Sequence, residues 1–296
     1  MLERGDLRRM IEEGDRAARD AEMLGDTTTA AEIRVLVAEG YLRAGDFRLA
    51  ADCISQARRE TADQRNDDLS AHIGLVQALR HLRLGCHDEA IAVLDDIDEA
   101  IAAAEMPRLQ LEALMIRLHI AVENNDDILA DDLWRQAEGM AKAFSAPHKL
   151  AQVALARLPG DGSRGYPREV KDAIDAFLSR SDERWHWLGA YHLWIAEALA
   201  ASGDQDGAQQ SAATACDRLR EDGYWEMLWR ALVVFGQIHF ERSDYEPALR
   251  AFDEARHIRS EIAKTIDDPS EQSSYEANLY ADRLTEMRSR ILELVS

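Results

Sequence analysis

The chain has few cysteines and lysines, no long apolar run and none of the short motifs that carry known chemistries. The three cysteines, Cys53, Cys86 and Cys216, lie far apart with no CxxC or Cys/His spacing. A scattered, odd set excludes a disulfide framework and a zinc site, and points to reduced, buried thiols in a cytoplasmic protein. No stretch approaches 18 consecutive apolar residues, so no membrane-spanning helix is expected. The opening MLERGDLRRMIEEGDR has no apolar segment of the kind a secretory signal needs. GxSxG, Walker, HExxH and strand–GxGxxG–helix patterns are all missing, so neither an enzyme nor a cofactor is expected. His186 and His192 are six residues apart, which does not put both on one helix face, so no metal pair is expected there. Positive charge is also short: the formal net charge is −21. Such a surface repels phosphates, which excludes nucleic acid and anionic membranes as partners of this region.

What the chain does have is a six-residue signature at a fixed spacing. It reads GDLRRM from Gly5, GDFRLA from Gly45, GCHDEA from Gly85, NDDILA from Asn125, GYPREV from Gly165, GDQDGA from Gly203 and SDYEPA from Ser243. The intervals are 40, 40, 40, 40, 38 and 40. A constant period of this size marks stacked helical units, each packed only on its neighbours. Within one unit, Val37, Ala38, Tyr41, Leu42 and Phe47, then Ala50, Ile54 and Ala57, keep helical spacing on both sides of Gly45-Asp46. The glycine can end the first helix in a left-handed conformation, and the aspartate can cap the second. The unit is therefore a helix-turn-helix hairpin.

These residues resemble the tetratricopeptide repeat. Ala38, Tyr41, Gly45-Asp46-Phe47, Ala50 and Ala57 occupy its consensus places, as do Gly236, Ser243-Asp244-Tyr245, Ala248 and Ala255. The period of 40 exceeds the family's usual value of about 34, as in long-repeat variants of bacterial signalling and regulatory proteins. The prolines that close each unit are mostly missing. The resemblance implies an all-α solenoid, a right-handed superhelix, spanning 1–296. It would hold an N-terminal half-repeat over 1–24, six hairpins over 31–268 and a capping helix over 271–295. The fourth hairpin is expected to be irregular at 159–166, where Pro159-Gly160 stops a helix. The first signature comes at Gly5 with almost nothing before it, so the chain is expected to be a fragment of a longer protein, or else to open on a degenerate N-terminal cap, which the polar Glu3-Arg4 and Glu12-Glu13 also fit; self-association through the N-terminal flank is compatible with the first.

The resemblance also implies a groove lined by the first helix of each pair. Its candidate partner-binding residues are Val35, Glu39, Leu42 and Arg43, then His72, Leu75, Leu79 and Arg83, then Met115 and His119. Tryptophans crowd between 185 and 229. Trp187, Tyr191 and Trp194, with Arg230, form a candidate aromatic patch. Its spacing fits either filler between long helices or an interface hot spot. Trp225, Trp229 and Leu232 read as a buried stripe. The expected function is a non-catalytic protein- or peptide-binding scaffold or sensory module of a larger bacterial signalling protein. The alternative is the small-molecule effector domain of a maltose-activator-type transcription regulator.

Overall fold

The computed structural model describes residues 7–62, 66–103, 106–143, 149–150, 152–153, 187–277 and 279–295. The signatures at Gly5 and Gly165, the expected break at 159–166 and Trp185 lie outside the described residues.

The repeated turn builds the fold. A helix ends with unmatched carbonyls and begins with unmatched N–H groups. At the first complete signature, Gly45 takes φ +79°. Its N–H and that of Asp46 donate to the carbonyls of Leu42 and Tyr41 at 3.3 and 2.9 Å. The Asp46 carboxylate then accepts the Leu49 N–H at 3.0 Å, which starts the next helix. The same reverse bond recurs from Cys86 to His81, Asp126 to Ala121, Asp204 to Leu199 and Asp244 to His239, at 2.9, 2.9, 3.0 and 2.9 Å. Asn125 and Ser243 stand where other turns have glycine, and both still adopt positive φ, 57° and 65°. The turn geometry outlasts the residue best suited to it.

Among the described residues the chain is all-α, with thirteen helices and no strand. They are α1 (Leu7–Met23), α2 (Thr27–Ala44), α3 (Phe47–Thr61), α4 (Asp67–Leu84), α5 (His87–Ala103), α6 (Pro107–Glu123), α7 (Asp127–Ala143), α8 (Leu188–Ala201), α9 (Gln205–Asp222), α10 (Trp225–Glu241), α11 (Tyr245–Ala263), α12 (Pro269–Glu276) and α13 (Leu279–Val295). The chain divides into two compact units.

The first unit holds the described residues from 7 to 143, together with Thr265–Tyr275. Its hairpins are α2/α3, α4/α5 and α6/α7; α1 packs along α2, and the first helices α2, α4 and α6 lie side by side. Apolar residues at helical spacing, Ala71, Leu75, Ala78 and Leu82 on α4 with Leu109, Ala113, Ile116 and Ile120 on α6, join Ala90, Leu94 and Ile101 of α5 in one core. Arg34 is buried between α1 and α3, donating to Glu22 at 2.6 Å and Glu60 at 2.8 Å. Such a pair is tolerated in an interior only when its hydrogen bonds are met.

The second unit holds α8 to α11 and α13. Its hairpins are α8/α9 and α10/α11, with α9 on α10 and α13 against both α10 and α11. Trp229 and Phe252 are fully buried here. Gly236 lets α10 approach α11: a Cβ there would lie 2.6 Å from the Phe252 ring.

The expected single capping helix over 271–295 is instead two helices, α12 and α13. Asp268 and Pro269 start α12. Asp268 accepts the N–H groups of Ser270 and Glu271 at 2.7 and 3.2 Å, and proline suits the first helical position. Ala281, Leu284 and Ile291 form the buried face of α13, whereas Leu294 is 61% exposed.

Candidate functional site

In the first unit, the first helices carry a charged cluster. Glu39 of α2 lies 3.6 Å from His72 Nε2 of α4 and 3.7 Å from the Arg43 guanidinium one helical turn on. Burial pushes the Glu39 carboxyl upward. The close approach of His72, with the charges of Arg43, His72 and Arg108 on α6, outweighs this and holds the carboxyl below its ordinary value. Arg108 itself pairs with Glu112 at 3.1 Å. Three successive hairpins therefore contribute charge around Glu39, the third through the exposed Arg108.

Of the candidate groove residues, Glu39, Arg43, His72, Leu79, Arg83 and His119 are half-buried. His119 Nδ1 contacts the Met115 carbonyl at 2.8 Å. Val35, Leu42, Leu75 and Met115 are buried. These four expected lining residues are therefore packed inside the unit and not presented to a partner.

The second unit repeats the arrangement. Residue 197 lies 33 positions before 230, as 39 does before 72. Glu197 of α8 accepts from Tyr280 Oη at 3.2 Å and faces Arg283 at 3.4 Å, both on α13. Burial is the largest influence on this carboxyl; the charges of Arg283 and Arg230 and the Tyr280 bond oppose it, and the net shift is upward. Arg230 pairs with Glu226 at 2.7 Å. Its guanidinium sits 5.5 Å from the Trp229 ring centre and 5.6 Å from that of Tyr280. Arg283 lies 5.6 Å from the Tyr280 ring centre as well. Cation–ring contacts of this kind add about 1 kcal/mol each when partly desolvated.

The aromatic patch is more interior than a surface hot spot. Tyr191 and Trp194 are buried and Trp187 is half-buried. The buried stripe on α10 holds for Trp229 and Leu232 but not for Trp225, which is 38% exposed at the start of the helix, before the chain is fully covered by its neighbours. Residue-by-residue reading missed Arg108, Tyr280 and Arg283. The 33-residue offset between a carboxylate and the base of the next hairpin was the available signal for the first-helix face. Nothing in the periodicity places α13 beside it. Among the described residues, no group of three or more His, Cys, Asp and Glu side chains is placed to hold a metal ion. The three cysteines carry no disulfide, and burial pushes the Cys53 and Cys216 thiols up to about 12.

No family model and no curated protein matches this sequence. Among solved structures, a circular tandem repeat protein with novel repeat topology and enhanced subunit contact surfaces aligns over 96% of this chain and 77% of its own, at 13% identity and a TM-score of 0.25. The helical-repeat description of this chain rests on the turns and hairpins above. Among the described residues, no helix is long and apolar enough to cross a membrane.

Proposed function

We propose that this chain is a non-catalytic protein- or peptide-binding scaffold built from long tetratricopeptide-like repeats, serving a bacterial signalling or regulatory protein. The supporting observation is the face of the first unit on which Glu39, Arg43, His72 and Arg108 from three successive first helices act on one another. Mixed charges, half-buried at Glu39, Arg43 and His72 and exposed at Arg108, offer hydrogen bonds and ion pairs at fixed register. That is the chemistry by which a groove reads an extended or helical peptide. The test is quantitative capture from a source-cell lysate by the wild-type chain and by a Glu39→Arg/Leu79→Asp variant of equal helix content. A scaffold that uses this face loses particular partners in the variant. Identical partner sets from both chains defeat the reading.

A second reading, a small-molecule effector module, is favoured by the cluster of Glu197, Trp229, Arg230, Tyr280 and Arg283. Its few polar groups converge beside aromatic rings, as small-molecule sites require. A ligand entering beside Trp229 changes tryptophan emission and raises the melting temperature. A panel of sugars and amino acids that moves neither argues against it.

A further inference from the structure

The segment Thr265–Tyr275 belongs to the first unit although it follows α11 in the chain. It sits on the turn edge of the first two complete repeats through three kinds of anchor. Thr265 Oγ1 accepts the Phe47 N–H and donates to the Gly45 carbonyl, both at 3.1 Å. Arg80 grips both oxygens of Glu271, at 2.7 and 2.5 Å, and the pair is largely buried, with 12% and 17% of the side chains exposed. Tyr275 meets Phe47 edge to face with ring centres 5.6 Å apart. The Ser274 carbonyl closes over Gly85, 3.3 Å from where a Cβ would stand.

The α12 start explains how the segment presents these groups. Pro269 and the Asp268 cap fix the first turn. Glu271 stands where a capping box would turn it back to the cap residue's own N–H. Here it points outward to Arg80 instead. Four residues on, Tyr275 falls on the same helix face. The receiving edge supplies the positive charge of Arg80; His81, 3.9 Å from Glu271, is held below its ordinary value by burial and the Arg80 charge and adds a neutral ring. The segment is acidic, carrying Asp267, Asp268 and Glu271. Bidentate Arg–carboxylate contact, a backbone clip at a turn and one aromatic anchor are the elements of short-peptide recognition.

We propose that the turn edge formed by Gly45–Phe47, Arg80 and Gly85 is a docking site for a short acidic helix with Glu and Tyr four residues apart, and that Thr265–Tyr275 is its cis occupant, a releasable latch. The occupant is the chain's own segment; a partner bearing the same pattern binds only after the latch leaves. The inference is independent of the groove formed by the first helices.

The test uses the full chain and a fluorescein-labelled peptide of residues 264–277. A Thr265→Val/Glu271→Ala chain, whose latch is weakened, binds the peptide at least tenfold more tightly than the wild type, whose site is filled. Adding Arg80→Glu to that chain abolishes binding, and a peptide carrying Glu271→Arg restores it. Equal binding to wild-type and weakened chains, or none to a weakened chain of wild-type helix content, overturns the proposal. Hydrogen exchange on the wild type gives a second reading that needs no variant. Amides of residues 270–276 exchange at least a hundredfold faster than those of α4 if the latch opens on its own. Protection equal to that of α4 makes the segment permanent core and overturns the proposal.

Discussion

At the residue scale, Glu39 and Glu197 are the same position in two different repeats, yet their surroundings move them in opposite directions. Both feel the desolvation that disfavours a buried carboxylate. Glu39 has His72, Arg43 and Arg108 around it, and its carboxyl is lowered from 4.5. Glu197 has Arg283, Tyr280 and Arg230, yet its carboxyl is raised from 4.5. The linkage follows. A lowered carboxyl contributes stability above 4.5 that is lost as pH falls through the folded value. A raised one opposes folding once pH exceeds the folded value, because its proton must be removed inside the protein. At pH 7, Glu39→Gln therefore lowers the melting temperature and Glu197→Gln raises it, each by about 1 kcal/mol in stability. Glutamine can still accept from Tyr280, which isolates the charge. Paired thermal melts check this, and shifts of the same sign in both variants would refute it.

At the element scale, glycine inside a helix has two meanings, and the two can be told apart. Gly139 of α7 has nothing within 4 Å of where a Cβ would sit. Alanine there removes unfolded-chain freedom and stabilises by roughly 0.5–1 kcal/mol. At Gly236 the same methyl would stand 2.6 Å from Phe252, a fully buried ring with no room to retreat. Alanine there destabilises by about 1–3 kcal/mol. Urea denaturation of the two variants gives midpoints on opposite sides of the wild type; a Gly236→Ala chain as stable as the wild type would mean α10 and α11 are less tightly seated. The hairpins themselves were legible in the sequence. Gly-Asp at a constant spacing specifies a left-handed stop and a capped start, and the apolar periods on either side assign the helices. The charged face of the first helices was legible in part, because Glu39, Arg43 and His72 fall at readable first-helix positions. Periodicity names the buried side of a helix but not what covers it. For this reason Val35, Leu42, Leu75 and Met115 read as lining and turned out to be packing. The division of 271–295 was illegible for a related reason: Glu271 finds its partner 191 residues earlier, at Arg80, and no local pattern records that.

At the scale of the whole molecule, charge balance decides how stability responds to salt. The net charge of −21 is spread over a repeat surface on which many of the ion pairs among the described residues are exposed i,i+3 or i,i+4 contacts, such as Arg8–Glu12, Lys142–Glu138 and Lys264–Glu261. Such pairs contribute at most about 1 kcal/mol each and are screened readily. The buried ones, Arg34–Glu60 and Arg80–Glu271, are screened far less. The long-range term is therefore self-repulsion among uncompensated carboxylates, which opposes the compact state. Raising sodium chloride from about 10 mM to 150 mM shortens the screening length from about 30 Å to about 8 Å, enough to remove repulsion between neighbouring repeats while leaving the buried pairs intact. The melting temperature of the wild-type chain at pH 7 accordingly rises by a few degrees over that range. A fall instead would mean that the exposed pairs act as a connected network whose attraction exceeds the repulsion, and differential scanning fluorimetry at four salt concentrations distinguishes the two.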